Sequence, residues 1–242
     1  MGTEATIVLL TKNAGEQFRE VLNAVFDQSG DFEVIVIDSG STDATLSIAQ
    51  EFPIRLIEIE PESFDHGGTR NLGAAKAKGD YICYLTQDAT PCESWLENLL
   101  QPMKEDDTIA GVYSRQLPRD DATPMKKHFL KEFYPPCSET RSFSDEELIP
   151  LDDTFFSNVA SGIRADVLEK IPFREDPIMS EDQIWAKRAL EAGYKIRYES
   201  TSKVRHSHRE GIVDIFKRFF DSGASLKYLN DGRTSPDVTT DG

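Results

Sequence analysis

At 242 residues the chain suits one large domain with a substantial core, and no Ser/Gly-rich or Pro-rich linker divides it. Its 38% hydrophobic and 10% aromatic content excludes a disordered chain, and 43 acidic against 27 basic residues, a net charge of −16, exclude a protein that lives on nucleic acid. No apolar run approaches the ~20 residues of a membrane span, and Cys83, Cys92 and Cys137, odd in number and without CxxC spacing, read as reduced thiols of a cytosolic protein.

Residues 5–10 form a continuous apolar run of the kind a buried parallel strand needs, and a start so quickly structured is not expected to be a signal peptide. The turn at 11–15 leads to a helix whose apolar stripe is Phe18, Val21, Leu22, Val25 and Phe26, at i, i+3, i+4, i+7 and i+8. Residues 33–37 read as a second strand, and Asp38-Ser39-Gly40-Ser41-Thr42-Asp43 as a turn into a helix with Ser41 or Thr42 as N-cap. A third strand at 54–59 completes a β-α-β-α-β run, which implies a parallel sheet with right-handed crossovers and a Rossmann-like half. Neither GxGxxG nor GxxxxGK[ST] is present, so dehydrogenase and P-loop chemistry are excluded.

The stretch FDHGGTRNLGAAKAKGDYICYLTQDATP, residues 64–91, reads as loop, helix, strand and loop. Its helix is expected to start after Gly67-Gly68 and run to about Lys78, and its strand to cover 81–85. At the carboxyl end of that strand stands Asp88, where ligands of open α/β sheets collect. A helix at 92–103 and a strand at 109–115 follow, and 116–153 reads as an irregular, Pro-interrupted insertion. A strand at 154–163, a short helix at 165–170 and a helix capped by Ser180, with Glu181 and Asp182 in its first turn, come next. A strand at 195–198 leads to VRHSH, which holds His206 and His208, and from Gly211 the apolar positions Ile212, Ile215, Phe216, Phe219 and Phe220 mark an amphipathic helix.

Taken in order, IVIDSGSTDAT, HGGTRNLG, GDYICYLTQDATP, the SED helix and VRHSH resemble a family 2 glycosyltransferase of GT-A fold, and within it the bacterial rhamnosyltransferase branch. The resemblance implies an α/β fold, a Rossmann-like nucleotide-binding half with a mixed central sheet flanked by helices. It implies a single domain over 1–230: a sugar-nucleotide half at 1–115, an acceptor side at 116–210 and the amphipathic helix at 211–230, before a flexible tail at 231–242. It implies an inverting, Mn²⁺- or Mg²⁺-dependent transfer from a dTDP- or UDP-sugar, most of all L-rhamnose from dTDP-rhamnose, to a saccharide or lipid-linked saccharide of a cell-surface polysaccharide. No nucleic acid is implied; peripheral membrane contact would come through the C-terminal helix, and the location would be cytoplasmic.

Carried over by position, Asp182 is the expected general base, and Glu181 orients it or binds acceptor. Asp88 with His206, His208 in reserve, is the expected metal pair. Thr11, Asp38, Ser39, His66, Arg70, Gln87 and Asp88 are the expected sugar-nucleotide contacts. Two positions depart from the family pattern: Thr86 stands where the first carboxylate of DxD is usual, and Ser39 where an Asp that reads uracil is usual, which agrees with a thymidine donor. Alternatives from the same residues are a UDP-hexose enzyme, a metallohydrolase using His206, His208 and Asp182, and a silent sugar-nucleotide-binding domain.

Overall fold

The structure is a computed structural model that describes residues 2–143, 154–175 and 180–206. His208, the helix expected at 211–230 and the tail at 231–242 lie outside the described residues. Nine strands form one mixed sheet in the order β3-β2-β1-β4-β8-β6-β9-β5, with β7 also pairing β9. The strands β1 (Ala5–Thr11), β2 (Phe32–Asp38), β3 (Arg55–Glu58) and β4 (Tyr81–Thr86) are parallel, joined by α1 (Gln17–Phe26), α2 (Thr45–Ala49) and α3 (His66–Lys76). Beyond β4 the sheet becomes mixed: β8 (Ala160–Arg164) runs antiparallel to β4 and to β6 (Ile109–Leu117). The strand β6 is parallel to β9 (Lys195–Arg205), which also pairs antiparallel with β5 (Thr90–Pro91) and β7 (Glu139–Arg141).

The continuous apolar strands are divided by their alternation into two cores. Ile7, Leu9, Val34, Val36, Cys83 and Leu85 face α1 and α4 (Trp95–Glu105), while Val8, Ile35, Ile37, Ile82 and Tyr84 face the side of α6 (Ala165–Lys170) and α7 (Glu181–Glu191). Phe18, Val21, Leu22 and Val25 are fully enclosed, as their spacing requires. Each such side chain contributes about 1.5–3 kcal/mol when buried. The two buried indoles find acceptors, Trp95 Nε1 donating to Ser114 Oγ at 3.0 Å and Trp185 Nε1 to Ile171 O at 2.9 Å.

Several local expectations are corrected. Gly67 and Gly68 lie inside α3, because Asp65 caps it by accepting from the Gly68 N–H at 2.6 Å. Gly67 has no room for a side chain, since a Cβ there would stand 1.9 Å from Arg174 O. Ser41 and Thr42 do not cap α2; Ser41 is held by Asp38, and Thr42 by Asn13. Ser180 makes no side-chain cap and takes a left-handed conformation, φ 66°. The supposedly irregular insertion contains a helix, α5 (Pro124–Phe133), which Thr123 caps by accepting from the Lys126 N–H, with Pro124 at its first position.

Candidate active site

The parallel strands β1, β2 and β4 end in register, with Thr11 opposite Asp38 and Leu10 opposite Thr86, so the turns beyond them open on one edge of the sheet. Asp38 is buried and its carboxylate accepts from Thr11 Oγ1 (2.9 Å), Gly40 N (3.0 Å), Ser41 N (2.7 Å) and Ser41 Oγ (2.6 Å). Ser39 Oγ donates to Thr11 O at 3.2 Å. Gln87 ties the β1 and β4 turns together, accepting from Lys12 N at 2.8 Å and donating to Lys12 O at 3.2 Å. Thr11, Asp38, Ser39 and Gln87 therefore build and fix the floor of this edge through hydrogen bonds with one another and with its backbone.

The β5–β9 pairing sets Thr90 against Arg205, which brings Asp88 and His206 together. His206 Nε2 stands 3.4 Å from Asp88 Oδ2. On the other side of the ring, Nδ1 is 2.9 Å from Gln116 Oε1, and Gln116 Nε2 lies 2.6 Å from Tyr134 Oη and 3.1 Å from Ser157 Oγ. With its amide nitrogen so engaged, Gln116 offers oxygen to Nδ1, and Nε2 is the ring atom that faces the carboxylate. An imidazole nitrogen and a carboxylate oxygen that face each other are ligand types a divalent cation can share. Small divalent ions take one or two protein ligands and complete their shell with substrate phosphates and water. Among the described residues no group of three His, Cys, Asp or Glu gathers as a metal site, so Asp88 and His206 fit a cation that a diphosphate helps to hold.

Asp182 lies across the same edge. Its Oδ2 accepts from Asn158 N at 3.1 Å and its Oδ1 from Gln183 N at 2.9 Å. Asn158 leads into β8, whose partner is β4: Thr86 N donates to Val159 O at 3.0 Å, so the backbone that holds Asp182 of α7 lies beside the end of β4, and Asp88 follows in the turn beyond that end. The Asp182 carboxyl is pushed up to about 7, first by burial and then by the charge of Glu181, against the hydrogen bonds from Asn158 and Gln183 and the charge of Arg70. The N-terminus of α7 favours an anion there by only ~0.3–1 kcal/mol, so burial prevails.

Glu181 and Arg70 are both buried and paired with each other, Arg70 Nη1 lying 2.5 Å from Glu181 Oε1. Arg70 Nη1 also donates to His66 O at 3.2 Å, and Tyr84 Oη donates to Arg70 O at 3.2 Å. The pair locks α3 to α7 beside Asp182. His66, the first residue of α3, stands near this lock with its ring packed edge-on to Phe64. A separate cleft of about 810 Å³, lined by Asn71, Tyr81, Arg164 and Glu169, opens at the far end of β4 and does not include any of these groups.

The model of the family described as glycosyl transferase family 2 matches residues 6–171, more than half of the chain. The chain belongs to this family. It is a glycosyltransferase, and O-antigen chain rhamnosyltransferases are among its relatives. RfbN of Salmonella typhimurium is 38% identical over 90% of this chain and 71% of its own, and WbaN of Salmonella anatum 37% identical over 90% and 70%. Among solved structures, the mannosyltransferase PcManGT of Pyrobaculum calidifontis, in complex with GDP-Man and Mn²⁺, superposes with a TM-score of 0.69 at 19% identity over 97% of this chain. TarS of Staphylococcus aureus, in complex with UDP-GlcNAc, superposes with a TM-score of 0.67 at 20% identity over 86%. The chain spans 66% and 59% of those two structures. The GT-A fold expected from the sequence is the fold of this glycosyltransferase.

Four residues of the transferase's edge carried no signal that singled them out: Gln116, Tyr134, Ser157 and Asn158. Gln116 and Tyr134 fell within the stretch read as irregular, although β6 runs through Leu117. Ser157 and Asn158 fell within a stretch read as strand, which in fact begins only at Ala160. Arg119 was also missed; it donates to Asp88 O at 3.3 Å and to Glu20 at 2.9 Å, bracing the Asp88 turn.

Proposed function

We propose that this glycosyltransferase is an inverting, metal-assisted enzyme that moves L-rhamnose from dTDP-rhamnose onto a saccharide or lipid-linked saccharide acceptor of a cell-surface polysaccharide. The observation that carries the reading is the meeting of two chemistries on one sheet edge: Asp88 with His206, and Asp182 with its raised carboxyl. The donor assignment draws on the O-antigen rhamnosyltransferase relatives and on Ser39, which offers no carboxylate to read uracil.

In this reading Asp182 accepts the proton of the acceptor hydroxyl as that oxygen attacks the anomeric carbon. The bond from the anomeric carbon to the diphosphate oxygen breaks, and its electron pair leaves with the nucleoside diphosphate. A carboxyl at about 7 takes up that proton readily and still ionises at neutral pH. Asp88 and His206 would hold Mn²⁺ or Mg²⁺, which supplies charge neutralisation at the departing diphosphate. Gln116 keeps the His206 ring oriented, and the Arg70–Glu181 pair holds α3 and α7 at a fixed distance around Asp182. Thr11, Asp38, Ser39 and Gln87 shape the seat of the base and ribose.

A thermal-shift screen of nucleoside diphosphates and their sugars, with and without Mn²⁺, tests the reading. A ligand at 100 times its Kd stabilises by about 2.7 kcal/mol, or roughly 5–10 °C for a domain of this size. The expected result is a Mn²⁺-dependent rise with dTDP-rhamnose. A rise with UDP-hexoses alone would move the donor to the UDP-sugar reading, and binding without turnover on any acceptor would favour a silent domain.

A further inference from the structure

Met125 and Phe133 are the large apolar side chains that stand exposed among the described residues, 60% and 49% open to solvent. Both belong to α5, and Phe129, half-buried, lies between them at the i+4 step. The three form one apolar ridge: the Phe129 and Phe133 rings stack at 4.1 Å, and Phe133 leans on Phe155 at 6.1 Å. Leu130 is the one buried residue of this helix, so the ridge stands out from the body of the protein. Lys126, Lys127 and Lys131 accompany it, and Glu132 is the one acid of the ten residues, in a chain whose net charge is −16. Lys126 Nζ sits 5.6 Å from the centre of the Phe129 ring, while Lys127, His128 and Lys131 are exposed. Asp120 and Asp121 precede the helix, and Lys127 Nζ donates to the Asp120 carbonyl at 3.1 Å.

We propose that α5 docks this chain on an anionic lipid surface. A helix that carries exposed phenylalanine and methionine on one side and lysines on the next suits the headgroup layer: the apolar side chains enter the acyl boundary, while the lysine stems snorkel and their ammonium groups meet anionic headgroups. Charge argues for this occupant. The chain as a whole is repelled by a negative surface, so a local basic helix is the part that approaches one. A second copy is a poorer partner, because two α5 ridges face to face would set three lysines against three. The helix is also tied to the catalytic edge at both ends. Before it, Arg119 donates to Asp88 O at 3.3 Å, and after it Tyr134 Oη lies 2.6 Å from Gln116 Nε2, the amide that faces His206. A chain docked through α5 therefore holds that edge at the lipid surface, where a lipid-linked saccharide is reached without extracting its apolar tail. That last step rests on the transferase reading above; the docking itself does not.

Flotation of the full chain with vesicles of phosphatidylcholine and phosphatidylglycerol in equal parts tests the docking with no donor or acceptor present. The wild type is expected to float with these vesicles, to be released as salt is raised, and to bind pure phosphatidylcholine vesicles at least about tenfold more weakly. Met125→Ser with Phe133→Ser, and separately Lys126→Gln with Lys127→Gln and Lys131→Gln, are each expected to lower the partition constant about tenfold or more, a lysine near an anionic surface being worth about fivefold. No binding by the wild type, equal binding to the two kinds of vesicle, or variants that float as the wild type does would each overturn the proposal, the last by assigning the contact to another segment such as 212–220. A wild-type dimer that the serine pair converts to monomer without vesicles would assign the ridge to a second copy and overturn it too. Should the serine pair fail to fold, the glutamine triple, which removes no apolar side chain, decides alone. Because no nucleotide sugar is present, failure here leaves the transferase reading standing, and failure of that reading in the thermal-shift screen leaves the docking standing.

Discussion

Asp182→Asn tests whether the group proposed as base is held against its own stability. The Asp182 carboxyl lies at 3.8 when unperturbed and is pushed up to about 7 in the folded chain. A carboxyl raised on folding stabilises the fold below its unfolded pKa, and that contribution is lost as pH rises through the folded value. Between pH 4 and 7 unfolding releases a proton, so stability falls by at most about 1.4 kcal/mol per pH unit, a ceiling of about 4 kcal/mol. Solvent around the half-buried group reduces this to roughly 2 kcal/mol. The asparagine does not titrate, but it has one oxygen for the two N–H donors of Asn158 and Gln183, a loss of about 1 kcal/mol at every pH. The variant is therefore expected to be about 1 kcal/mol less stable than wild type at pH 4 and about 1 kcal/mol more stable at pH 8, while turnover falls by ~10²–10⁴. Urea melts across that range read the crossing. Stability curves that run parallel at all pH values would refute the raised carboxyl, and retained turnover would refute its role as base.

Arg70→Met strands the buried Glu181 carboxylate and is expected to cost about 3–5 kcal/mol; a urea midpoint close to wild type would show that the pair is not needed to lock α3 to α7. Glu181→Gln removes a charge that raises Asp182, so the acid limb of the pH–rate profile is expected to move to lower pH, and an unmoved or upward-moving limb would contradict that coupling. Gly67→Ala forces a Cβ onto Arg174 O and is expected to destabilise by about 1–3 kcal/mol, read by thermal unfolding; wild-type stability would mean that the 171–175 segment can give way. Gln116→Leu deprives His206 Nδ1 of its acceptor, and Mn²⁺-dependent nucleotide affinity is expected to fall ~10–100-fold; unchanged affinity would remove His206 from the metal site.

Much of the nucleotide half was legible because its signals are local. The apolar run of β1, the i, i+3, i+4 stripe of α1 and the polar turn after β2 each declare themselves within a dozen residues. Asp88 stood out for the same reason, at a strand end, whereas Asp182, whose place in a helix first turn the helix dipole alone would explain, was singled out only by the family resemblance. What escaped depends on partners far along the chain. Arg70 and Glu181, read as contacts of separate substrates, are 111 residues apart and meet only when α7 packs beside α3. The length of β9 was hidden by its own irregularity: the register jumps so that Ser114 faces Glu199 and Arg115 faces Lys203, leaving the polar Ser200, Thr201 and Ser202 to interrupt the pattern. That jump carries the strand on to His206. The N-terminus of α5, by contrast, was signalled by Thr123-Pro124, and the surrounding prolines obscured it.

Two acidic groups with separate duties are the central claim, and Mn²⁺-dependent dTDP-rhamnose binding measured alongside transfer in Asp88→Asn and Asp182→Asn tests it most directly. Asp88→Asn is expected to lose both the metal-dependent binding and the transfer. Asp182→Asn is expected to bind the donor nearly as wild type does and to transfer ~10²–10⁴ times more slowly. Wild-type donor binding in Asp88→Asn, or wild-type transfer in Asp182→Asn, would contradict the account.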